Sequence, residues 1–109
     1  MIFREYRFDR ARRKIQEEFS SYLGSLNYNA HVVLRSRIKG DYTVSLLVQT
    51  KTDFEMKKIE EDARVQNAFK EILLGNVVKR LQGNRNMYWV VSQESVDRDY
   101  GGDWRRATQ

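Results

Sequence analysis

The chain has no cysteine, no proline and a single histidine among its 109 residues. Without cysteine there is no disulfide framework, no thiolate nucleophile and no sulfur-ligated metal. One imidazole without thiolates cannot assemble a usual zinc site, so His31 is read as a partly exposed residue at a strand start. As a general base it would need an orienting carboxylate, and the sequence identifies none. Without proline, turns fall to Gly, Asn and Asp. A glycine-rich phosphate loop is also missing, and Gly24, Gly75 and Gly83 read as helix ends. Apolar runs such as Leu46-Leu47-Val48 are far too short to cross a bilayer, so no membrane contact is expected. The opening Met-Ile-Phe-Arg-Glu-Tyr-Arg has no apolar core of a leader peptide, and a cytoplasmic setting is the expectation.

What is present is charge, unevenly spread. Residues 1–40 hold nine Lys/Arg against four Asp/Glu, whereas residues 41–109 hold eleven of each, so the whole net charge of +5 sits in the first part. A one-sided basic excess points to an acidic partner, with nucleic acid the commonest.

The residue pattern predicts six alternating elements. Ile2 to Phe8 alternates apolar and charged side chains and reads as a short strand. Asp9 suits the N-cap of a helix that carries Ala11, Ile15, Phe19, Tyr22, Leu23 and Leu26 at helical spacing. Arg10, Arg13, Lys14, Glu17 and Ser21 line the other side of that helix. Val32, Leu34 and Ile38 then alternate with Val33, Arg35, Arg37 and Lys39, and after Lys39-Gly40-Asp41 a second period-two run covers Tyr42 to Lys51. This is an antiparallel hairpin with one apolar and one basic-polar face. Thr52 and Glu55 have capping-box spacing ahead of a helix carrying Met56, Ile59, Ala63, Phe69, Ile72 and Leu73. Met87-Tyr88-Trp89-Val90-Val91 reads as a last strand. The expected architecture is an α+β ferredoxin-like sandwich, β-α-β-β-α-β, with a four-stranded antiparallel sheet and two helices on one face. One domain spans residues 1–96, and residues 97–109 are a flexible C-terminal tail with isolated Tyr100 and Trp104.

Such a sheet has one bare face, and that face would carry Arg35, Arg37, Lys39, Thr43, Ser45, Gln49 and Lys51. Side chains two apart on a strand project in parallel at about 7 Å, close to phosphate spacing along a single strand. Tyr88 or Trp89 could stack bases. The predicted nucleic-acid contacts are therefore Arg10, Arg13, Lys14, Arg35, Arg37, Lys39, Lys51 and Tyr88. RNA-recognition domains share this topology, yet Lys39-Gly40 is followed by Asp41-Tyr42-Thr43-Val44-Ser45-Leu46, without the outward aromatics of their third strand, so membership is not claimed. Asp41, Gln49 and Lys51 echo a nuclease metal site, but Gln49 stands where a second carboxylate is needed. No catalytic residue, metal or cofactor is expected. The function expected is a non-enzymatic binding domain for RNA or single-stranded DNA. The alternative is a protein–protein assembly or regulatory module, such as a homodimer, using the same face.

Overall fold

The computed structural model describes residues 2–35, 43–76 and 86–108, with the backbone alone for residues 2–7. The elements are α1 (Ile2–Ser25), β1 (His31–Leu34), β2 (Ser45–Thr50), α2 (Asp53–Glu60), α3 (Ala63–Gly75), β3 (Met87–Ser92), α4 (Gln93–Tyr100) and α5 (Trp104–Ala107).

The ferredoxin-like expectation is overturned. The sheet has three strands in the order β1-β2-β3, and it is mixed: β1 is antiparallel to β2, while β2 runs parallel to β3. Residues 2–8 belong to α1 instead of forming a strand. Seven residues of alternating character fit a helix as well as a strand, and nothing between Ile2 and Lys14 stops a helix. Phe8 settles the period. It is 4% exposed and lies on one helical stripe with Ile15, Phe19 and Leu23. Asp9 is accordingly an exposed mid-helix residue paired with Arg12 at 3.4 Å, not an N-cap. Parallel neighbours require a long crossover, and the path from β2 to β3 through α2 and α3 supplies it.

The expected pairing of the two middle strands does form, with His31 opposite Gln49, Val33 opposite Leu47 and Leu34 opposite Leu46. The turn expected at Lys39-Gly40-Asp41 lies outside the described residues. The left-handed residue that closes α1 is Asn27 rather than Gly24, which lies inside the helix. Asn27 has φ 65° and its N–H bonds Gly24 O at 3.0 Å, while Tyr28 N bonds Leu23 O at 3.1 Å. That pair of bonds is a Schellman motif, closing the orphan carbonyls of the last turn. The capping box starts α2 as expected, with Glu55 N donating to Thr52 Oγ1 at 3.1 Å. The helical stretch then breaks at Asp62, which caps α3 by accepting from Arg64 N at 2.9 Å.

One sheet face, carrying Val32, Leu46, Val48 and Val90, packs on Ile15, Phe19 and Leu23 of α1, Ile59 of α2, and Val65 and Phe69 of α3. The opposite face is not bare. Thr43, Ser45 and Leu47 are 3%, 0% and 1% exposed. Ser45 Oγ is buried, with no hydrogen-bond partner among the described residues. The C-terminal residues reach it: Arg35 Nη2 donates to Thr108 O at 3.2 Å. The boundary expected after residue 96 falls inside α4, and a further short helix, α5, follows it.

The two edges of the sheet differ. β1 is held along its outer side by α1, with Gln16 Nε2 donating to Val32 O at 2.9 Å and Arg12 Nη2 to Arg35 O at 2.8 Å. β3 is the other edge. It has no further described strand beside it and no charged residue between Met87 and Ser92.

Candidate functional site

The structure separates the residues that the sequence grouped. Arg10, Arg13 and Lys14 are exposed on the outer side of α1, away from the sheet. They line a groove of about 720 Å³ together with Asp9 and Glu17. None of the three makes an ion pair among the described residues. Arg35 continues the β1 ladder through its N–H to Ser45 O at 3.0 Å, and its guanidinium is used on Thr108 O. Arg37 and Lys39 lie outside the described residues. Lys51 is exposed just after β2. α1 covers the core side of the sheet and Arg35 turns to the other, so the expected cations do not form one surface.

Tyr88 packs into an aromatic cluster. Its ring lies 5.0 Å from Phe19 and 4.9 Å from Phe69, and those two rings are 5.3 Å apart. The tilted, edge-on geometry is that of a core aromatic cluster. Burial raises the Tyr88 phenol above its ordinary pKa, with the Asp62 charge adding to the effect. Tyr88 is partly buried, packed against the core.

An aromatic site appears where the sequence offered a tail. At the paired ends of β1 and β2 a cleft of about 660 Å³ opens, lined by Asn29, His31, Gln49, Lys51, Gln93 and Trp104 among others, with no carboxylate in its wall. Local chemistry puts Trp104 there. Ser92 caps α4 by accepting from Ser95 N at 3.1 Å. Gly101 and Gly102, with φ 58° and 86°, then reverse the chain, and Gly102 N bonds Val96 O at 3.0 Å. Asp103 restarts the helix by accepting from Arg105 N at 3.0 Å and Arg106 N at 3.3 Å. The indole Nε1 then donates to Gln93 Oε1 at 2.8 Å, and Gln93 Nε2 donates to Asp97 Oδ1 at 2.8 Å. The signal was legible in Gly101-Gly102-Asp103, a C-terminal glycine followed by an N-cap aspartate.

Two carboxylates are tied elsewhere. Asp53 accepts from the Ser92 hydroxyl and from Arg98 Nη1 at 2.8 Å, and these bonds hold its pKa below the usual carboxylate range. Asp62 accepts from Arg64 Nη2 at 2.8 Å and Tyr28 Oη at 2.7 Å, and those partners, Arg64 first, lower it strongly. Among the described residues no group of three His, Asp or Glu side chains could hold a metal, and no helix is long and apolar enough to cross a membrane.

Neither a protein family, nor a curated protein, nor a solved structure matches this chain significantly.

Proposed function

We propose that this chain is a small binding domain for single-stranded nucleic acid, with Arg10, Arg13 and Lys14 contacting the phosphate backbone. One observation carries the reading: three exposed cations lie along one flank of a regular helix, free of ion pairs among the described residues. Of the two acids in their groove, Asp9 is committed to Arg12 at 3.4 Å. The flank therefore keeps a positive excess that neutralising phosphates would use. The test is the salt dependence of binding to a labelled single-stranded oligonucleotide. Replacing all three residues by Ala should lower the slope of log K against log salt by about 2, at roughly 0.7 per phosphate on single strands. The helical signal should be kept, because these side chains are exposed. No binding by the wild type at about 50 mM salt, where screening is incomplete, overturns the proposal.

A homodimer is the second reading, favoured by the uncharged outer edge of β3. Charged or obstructed edges prevent strand-to-strand pairing. β1 has that protection from Arg12 and Gln16, and β3 has nothing equivalent among the described residues. Sedimentation across a hundredfold concentration range tests it: a monomer throughout removes this reading.

A further inference from the structure

We infer that the cleft at the ends of β1 and β2 binds one nucleotide, with the base against the Trp104 indole and the phosphate at the Lys51 ammonium. The inference stands on the cleft itself and does not require the α1 flank to bind anything. The volume of about 660 Å³ lies in the range of small-ligand sites, roughly 300–1,000 Å³. Charge narrows the ligand class. The chain has 15 Asp and Glu, yet none lines this cleft, whereas Lys51 and His31 do. The groove beside α1 is unlike it, since Asp9 and Glu17 share that wall.

An aromatic wall is the second requirement. Trp104 is only partly buried, and its plane is set by the bond to Gln93, which Asp97 orients in turn. A ring fixed before the ligand arrives loses little entropy on stacking. Base–aromatic stacking is indifferent to base identity, because every base has a π face. Among the exposed aromatics of the described residues, Phe54 already carries the Lys58 ammonium 5.1 Å from its ring centre, and Tyr100 does not line the cleft. The third requirement is polar groups to meet base edges and sugar hydroxyls. The side chains of Asn29, His31, Gln49 and Lys51 make no hydrogen bond or ion pair among the described residues, whereas both polar atoms of Gln93 are in use.

The nucleotide has two sources, a free nucleoside monophosphate or the phosphorylated 5′ end of a strand. Emission of the two tryptophans, Trp89 and Trp104, is followed while the full chain is titrated with each of the four ribonucleoside 5′-monophosphates. Parallel titrations use a short oligonucleotide with and without its 5′-phosphate. Saturable quenching is expected, and it should disappear in Trp104→Leu. Lys51→Glu should weaken the phosphorylated ligands about tenfold or more, from the lost charge-assisted contact, and leave the corresponding nucleosides unchanged. Lys51 is exposed, so this variant folds even if Trp104→Leu does not. Quenching by monophosphates assigns a free nucleotide; quenching by the 5′-phosphorylated oligonucleotide alone assigns a strand end, and both support the site. No saturable binding at about 10 mM, weaker than ordinary millimolar affinity, overturns it, as does equal affinity in Lys51→Glu. The Arg10, Arg13 and Lys14 triple variant should bind monophosphates like wild type, so the two proposals fail separately.

Discussion

Asn27 holds the exit from the longest helix in a conformation that few side chains accept. At φ 65° a Cβ crowds its own backbone, and Asn tolerates this better than most L-residues because its short amide bonds locally. The bonds from Asn27 N and Tyr28 N back to Gly24 O and Leu23 O depend on that turn, and they aim the chain from α1 toward β1. Tyr28, one residue on, reaches Asp62 at 2.7 Å and so ties the same corner to the start of α3. Asn27→Ala should therefore cost about 1–2 kcal/mol in urea unfolding, the price of a left-handed alanine. Asn27→Gly should be near neutral, since glycine takes this region freely. Equal stability of wild type and Asn27→Ala would mean that the turn relaxes without loss.

Among the elements, α4 and α5 differ most from a surface appendage. Val96 is fully buried, Thr108 is 9% exposed, and Arg35 donates to the Thr108 carbonyl. Removing residues 101–109 should uncover the sheet face that holds Leu47 and lower the melting temperature. Each lost kcal/mol is worth about 4–8 °C in a domain of this size. An unchanged melting temperature would show that the segment covers nothing that matters to folding. The sequence disclosed the elements whose signals are local. Period-two alternation found the β1–β2 pair, Thr52 and Glu55 found the start of α2, and helical spacing found Ile15, Phe19, Ile59 and Phe69 in the core. It failed where two periods fit one segment, as at residues 2–8, where the deciding fact is that Phe8 is buried. Strand direction was equally hidden, because MYWVV reads the same whether β3 runs parallel or antiparallel. The cationic flank of α1 could be read from spacing. The cleft could not, since Trp104 meets Lys51 and His31 only after the turn at Gly101 and Gly102 brings it back.

At the scale of the whole molecule, charge couples distant parts of the chain, and pH reads that coupling. Asp53 joins the start of α2 to α4 through Ser92 and Arg98, and Asp62 joins α3 to the turn after α1 through Tyr28. Both carboxyls are held below their ordinary range in the folded chain, by hydrogen bonds that favour the ionised form. Unfolded, they return to about 3.9. Between the folded and unfolded values the unfolded chain binds more protons, so stability rises with pH there. The stabilisation is complete above about pH 4 and is lost as the pH falls through the lowered native values. The tyrosines act at the other end. Burial raises both Tyr28 and Tyr88, with the hydrogen bond to Asp62 adding to the shift at Tyr28, so their contribution is complete below about pH 10 and fades as the pH rises past it. Urea midpoints should therefore be level near neutrality and fall steeply below about pH 4. Asp62→Asn separates charge from geometry, because asparagine still caps a helix. That variant should be less stable than wild type at pH 7, converge toward it at about pH 2, and show a shallower acid slope. A wild-type midpoint that stays level down to about pH 2 would refute the role given to these carboxylates.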